Sequence, residues 1–370
     1  MTMRAGEARA TAARWVAEHS PDIPDFMGAF LSGSVAWLPA DAPLSPASDV
    51  DVMVVLSTPH PPPKPGKFRH GGALLEVTYL GWEPVPSSEE ILASYHLAGA
   101  LRGDTVLADP TGALGALREA VSRGYARREW VLRRCEEAER RVADGLAALD
   151  VSAPPYDRVT GWLFPTGVTT HVLLTAGLRN PTVRLRYLAA RSLLLEYGRP
   201  EVHEELLGLL GCAHLGAERV ARHLETMTDA FDAASAGPTT PYPFASDVTE
   251  AARPVSVGGG HDLLARGHHR EAVFWIAATY ARCLKILAHG GREAAFMPGF
   301  LDLAGDLGVG SAAGLRERAL RVRAFLPRLR QVRDDILAAN PDVATSGPVS
   351  GGHATRAAGS RRRPRPSTPP

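Results

Sequence analysis

Every stretch of this chain that reads as a β-strand lies before residue 112, and helical patterns fill most of the remaining sequence. The first part therefore reads as a mixed α/β unit, and strand signals vanish from about Ala113 onward. That segregation predicts an α+β fold: a small mixed β-sheet flanked by helices, then an α-helical bundle. A length of 370 residues suits two such domains. The boundaries read as 1–112 for the sheet domain, 113–340 for the helical domain and 341–370 for a basic tail.

Three runs carry the strand signal. "FMGAFLS" (Phe26–Ser32), "DVDVMVVL" (Asp49–Leu56) and "ALLEVTYL" (Ala73–Leu80) are short, apolar and bounded by turn residues. "DTVLADPTG" (Asp104–Gly112) reads as a shorter strand ending in a turn. Between the second and third runs, "STPHPPPKPGKFRHGG" reads as a loop, because its five prolines oppose regular structure. Helices are expected over Ala8–His19 and Ser87–Leu101, the latter capped by Ser87 or Ser88. In the second half, one long charged helix is expected over Leu117–Asp150. Further helices are expected at Thr169–Leu178, Val183–Tyr197, Glu201–Leu210, Glu218–Ala234, Leu263–His289 and Ala313–Ala339. The final stretch is Pro-, Gly- and Arg-rich with almost no apolar residues, so disorder is expected there.

The chemistry concentrates in "DVDVMVVL". Side chains alternate between strand faces, so Asp49 and Asp51 point one way while Val50, Val52 and Val54 point the other. Two adjacent carboxylates repel and raise each other's pKa unless a positive group intervenes. Mg2+ is a natural intervener, since it takes hard oxygen ligands and is held by one or two carboxylates plus substrate phosphates. Glu76 lies inside an apolar strand between Leu75 and Val77. An isolated carboxylate is costly there, but intelligible if it meets Asp49 and Asp51 as a third metal ligand or a general base. General-base assistance is worth roughly a hundred- to ten-thousand-fold in rate. Upstream, Gly33 and Ser34 form a turn whose backbone N–H groups and hydroxyl suit phosphate oxygens. Metal, phosphate cradle and carboxylate base together predict attack of a hydroxyl on a phosphate.

The order "GS", loop, "SDVDVMVV" resembles the signature of the DNA polymerase β-type nucleotidyltransferase superfamily. The acid of "LLEVT" resembles the one on the strand carrying the catalytic glutamate in aminoglycoside adenylyltransferases of the streptomycin/spectinomycin type. The resemblance covers residues 26–112 and implies a nucleotidyltransferase domain there. It implies that Asp49 and Asp51 hold Mg2+, that Glu76 is base or third ligand, and that Gly33 and Ser34 contact the triphosphate of ATP. The implied function is transfer of AMP from ATP to a hydroxyl of a small polyhydroxylated acceptor, such as an aminoglycoside-like compound. A helical domain would complete the acceptor pocket, and antibiotic resistance is the implied role. The alternative is an antitoxin-type or regulatory nucleotidyltransferase that modifies or binds a protein partner.

Other features carry less. Net charge is +1, so no global basic field points to nucleic acid. Cys135, Cys212 and Cys283 lie too far apart for a metal pair or a disulfide framework. No signal-peptide pattern or membrane-length apolar run is present, and the expected location is cytoplasmic. "HDLLARGHH" reads as a solvated helix start rather than a metal site, and the Arg282–His289 spacing as chance in an Arg-rich chain. Lys occurs only at Lys64, Lys67 and Lys285, which reads as compositional bias. One of Arg127, Arg128, Arg133 and Arg134 is a candidate phosphate contact, and Trp37 a candidate stacking partner for a base or substrate ring.

Overall fold

The computed structural model describes residues 2–237 and 240–344. The chain is α+β. Strands β1 (Phe26–Ser32), β2 (Val50–Leu56), β3 (Gly66–His70), β4 (Ala73–Gly81) and β5 (Val106–Ala108) form one mixed sheet in the order β3-β4-β2-β1-β5. β2 and β4 run parallel, and every other neighbouring pair is antiparallel. Helix α1 (Ala5–His19) covers one face; Ala8, Ala12 and Trp15 pack there against Val50, Val52 and Val54. Helices α2 (Ser88–Ala93) and α3 (Ala113–Gly124) cover the other, where Ile91, Leu114 and Val121 meet Phe30 and Val55. The alternation of apolar residues along β2 thus feeds two cores, one on each face.

The helical body comprises α4 (Arg128–Ala147), α5 (Pro155–Ala176), α6 (Arg186–Glu196), α7 (Pro200–Leu210), α8 (Ala217–Ser235), α9 (Gly259–Ala265), α10 (His269–Ala288), α11 (Met297–Asp306) and α12 (Ala312–Ala339). Its single core is built around α5 and α10, whose buried faces include Trp162, Leu173, Phe274 and Tyr280. No helix among the described residues is long and apolar enough to cross a membrane.

Several sequence-based expectations need correction. Residues 66–70 form β3 inside the stretch expected to be a loop, starting directly after Pro65, the last of its prolines. The expected helix over Ser87–Leu101 ends at Ala93. The long helix over Leu117–Asp150 is two, broken between Gly124 and Arg128. The Leu263–His289 helix is also two, broken at Gly267, whose φ of 76° is left-handed. Helix α11 (Met297–Asp306) lies outside the expected helices; its Pro298 falls in the first turn, where a missing N–H costs nothing. Residues 341–344 pack onto the helical body: Val343 is buried and the Ala344 amide donates to the Ala126 carbonyl at 2.8 Å. The rest of the expected tail, residues 345–370, lies outside the described residues.

Candidate active site

The parallel register of β2 and β4 places Asp51 opposite Glu76, and antiparallel β3 places Lys67 opposite Glu76 on its other side. Asp49 stands one residue before β2. Asp49, Asp51 and Glu76 each offer a carboxylate oxygen, and these oxygens lie within 4.8 Å of one another. The three acids singled out in the sequence therefore converge. Gly33 joins them: its φ is +63°, and a Cβ there would fall 1.7 Å from Asp51 Oδ2. Only glycine lets the chain turn so close to that carboxylate. Ser34 comes next as the first residue of a 3-10 turn. The turn is tied down by Arg9 of α1, whose guanidinium donates to the Val35 carbonyl at 2.7 and 3.0 Å and to the Leu38 carbonyl.

Four basic side chains and a fourth acid complete the cluster. Lys67 Nζ lies 3.1 Å from Asp49, pairs with Glu76 and reaches Asp247 at 3.5 Å. Lys64 Nζ lies 2.7 Å from Glu76 and 3.3 Å from Asp247. Asp247 comes from a 3-10 turn between α8 and α9, and its other oxygen meets Arg282 of α10 at 3.1 Å. The fourth base, Arg184, precedes α6 and donates to the Ala47 carbonyl at 3.1 Å. Gly66 at the start of β3 makes the approach of the Asp247 turn possible, because a Cβ there would sit 2.2 Å from the Ser246 Cβ. The β3–β4 side of the sheet thus meets the helical body through this charged cluster and a small apolar contact of Leu74 with Val255 and Trp275.

The electrostatics derive from this arrangement. Burial of Lys67 opposes its charge, but Asp49, Glu76 and Asp247 outweigh it and hold the ammonium above the ordinary lysine range. Burial likewise opposes the charge of Asp247, but Arg282, Lys67 and Lys64 prevail and hold its carboxyl below the usual range. Asp51 behaves in the opposite way. Burial, then Asp49 and Glu76, push its carboxyl well above the usual range, and the two lysines offset this only in part. Among the described residues, Asp51 makes no ion pair. Two unit charges about 4 Å apart repel by about 4 kcal/mol at an effective dielectric of about 20. An acid left with two anionic neighbours and no direct cation is therefore the point at which this cluster lacks positive charge. Three hard-oxygen donors converging there fit a divalent cation of the Mg2+ type.

Four other candidates take different roles. Trp37 has its ring covered by the Arg102 guanidinium, 3.5 Å from the ring centroid, and stands edge-on to Tyr125. Arg134 is buried and donates to the carbonyls of Leu92 and Tyr125, at 3.0 and 2.6 Å, so it joins α4 to the end of α2. Arg128 donates to the Leu337 carbonyl and Arg133 lies over Trp130. The residues missed from sequence are Lys64, Lys67, Asp247 and Arg282. A signal existed for the lysines: the chain has only three, and two of them pair with Glu76. In comparisons with known proteins, no protein-family model matches the chain, and no curated protein sequence matches it significantly.

Proposed function

We propose that this chain is a magnesium-dependent nucleotidyltransferase that moves a nucleoside monophosphate, AMP from ATP, onto a hydroxyl of a small acceptor. The observation that carries the reading is the convergence of Asp49, Asp51 and Glu76 beside the Gly33–Ser34 turn. Asp49 and Asp51 would hold Mg2+, with Glu76 as third ligand or base. The bound cation would neutralise phosphate charge and balance the excess negative charge at Asp51.

The chain's own groups account for the remaining roles. The backbone at Gly33 and Ser34 offers N–H donors to phosphate oxygens. Lys64 and Lys67 supply ammonium donors beside the acids, suited to the β- and γ-phosphates. Glu76 accepts the proton of the acceptor hydroxyl as its oxygen attacks the α-phosphorus. The α–β phosphoanhydride bond breaks, and pyrophosphate leaves with the bonding electron pair.

Calorimetric titration with α,β-methylene-ATP tests the nucleotide half of this reading. Binding that requires Mg2+ and is lost in Asp49→Ala supports it; binding indifferent to both the metal and the substitution would count against it.

A further inference from the structure

A cavity of about 500 Å3 opens between α4, α5 and the segment around Tyr242–Phe244. Leu149, Phe164, Pro165, Tyr242, Phe244 and Arg282 line it. Two of its lining residues, Arg282 and Phe244, connect it to the acid cluster. Arg282 pairs with Asp247, and Phe244 lies 5.0 Å from the Arg282 guanidinium and 5.8 Å from Lys64 Nζ. Lys64 in turn pairs with Glu76.

The lining is largely apolar and aromatic, and two of its three charged side chains, Asp157 and Arg282, are already in ion pairs. Asp157 pairs with Lys285 at 2.6 Å, Arg282 with Asp247 at 3.1 Å, and Asp150 accepts from the Ser152 amide and hydroxyl. Among the described residues, a polycationic acceptor would find one carboxylate without a cationic partner, the exposed Asp150, so most of its ammonium groups would lose water against apolar and aromatic walls without compensation. A neutral ring would find aromatic walls. Tyr242 and Phe244 stand edge to face at 5.6 Å, each backed by a cation: Lys285 for Tyr242, Arg282 for Phe244. Phe244 is 45% exposed, an apolar surface at the rim that a bound molecule would cover. A cavity of this size with a few polar groups at one end has the character of a small-molecule site.

We propose that this cavity is the acceptor site, and that the acceptor is a neutral hydroxylated molecule with a flat aromatic or alicyclic body, not a polycationic sugar. The assignment rests on the nucleotidyltransferase reading for its chemistry, but the binding it requires is independent of that reading. The ring lies among Phe164, Tyr242 and Phe244, and the hydroxyl faces the Arg282–Asp247 end, toward Lys64 and Glu76.

Saturation-transfer NMR on the full chain, with 2-naphthol and kanamycin as probes, tests it. Naphthol binding without kanamycin binding is expected. Thr160→Trp, which fills the cavity from α5, should weaken naphthol binding at least tenfold, and Phe244→Ala at the exposed rim should weaken it several-fold. Asp49→Ala should keep naphthol binding while losing nucleotide binding, so failure of the catalytic reading is seen separately from failure of the pocket assignment. Kanamycin binding in preference to naphthol would overturn the assignment. So would naphthol binding unchanged in both cavity variants, each first confirmed as folded by circular dichroism.

Discussion

Asp51 and Glu76 face each other in register across the parallel strands β2 and β4, and of the two only Glu76 has lysine partners. That asymmetry defines the site. Glu76 is held by Lys64 and Lys67, whereas Asp51 stands beside two other acids without a cationic partner among the described residues, and burial and those acids disfavour its ionised form. Asp51→Asn should therefore raise the melting temperature of the metal-free protein while reducing transferase activity about a hundred-fold or more. Added Mg2+ should raise the melting temperature of the wild type and leave the variant unmoved. Thermal melts with and without the metal check both statements.

Gly33→Ala tests the close approach of the turn. Its φ of +63° costs an alanine roughly 1 kcal/mol or more, and the new Cβ would strike Asp51 Oδ2. The expected result is a stability loss of that order and a much larger loss of activity, because the Asp51 carboxylate must move. Denaturant unfolding alongside turnover measurements separates the two effects.

Lys67→Met removes the one ammonium that meets Asp49, Glu76 and Asp247 together. Breaking such a mostly buried pairing costs about 3 kcal/mol. Mg2+ should recover part of that loss, since a divalent cation replaces positive charge beside Asp49 and Glu76. Urea titrations of wild type and variant, each with and without Mg2+, measure the recovery.

How much of this is legible in the sequence depends on the range of the interactions. The acids of β2 and β4 are legible because strand periodicity is local, and a carboxylate between Leu75 and Val77 stands out. β3 is hidden by its neighbours: five prolines dominate the reading of Ser57–Gly72, although all of them precede Gly66. Asp247 cannot be placed from sequence, because its meeting with Lys67 joins positions 180 residues apart and leaves no local pattern. The helix breaks at Gly124 and Gly267 expose a general weakness of periodicity, which tolerates one glycine in a helix without saying whether the chain turns there. Trp37 reads as a residue of an open loop, but Arg102, far along the chain, takes its face.

A pH dependence arises from His171 of α5. Its ring is buried, Nε2 lies 2.9 Å from the Thr182 carbonyl, and Nδ1 has no partner. Burial, then Arg186, hold its pKa well below the ordinary value. The unfolded chain thus binds a proton near pH 6.5 that the folded chain does not. Its contribution is present above that pH and lost as pH falls below it, by up to about 1.4 kcal/mol per pH unit. His96 and His203 shift the same way, also through burial, so the informative quantity is the difference between wild type and His171→Leu. Denaturant unfolding from pH 7.5 to 5.5 should show a shallower slope in the variant, by about one proton.

The central claim is that Asp49, Asp51 and Glu76 form a metal-dependent transferase site. The most direct measurement is Mg2+-dependent pyrophosphate release from ATP, with a panel of neutral and cationic hydroxylated acceptors, for wild type and Glu76→Gln. Release that needs both Mg2+ and an acceptor, and that falls at least a hundred-fold in Glu76→Gln, is the expected result. No release with any acceptor, or release unchanged in Glu76→Gln, would contradict it.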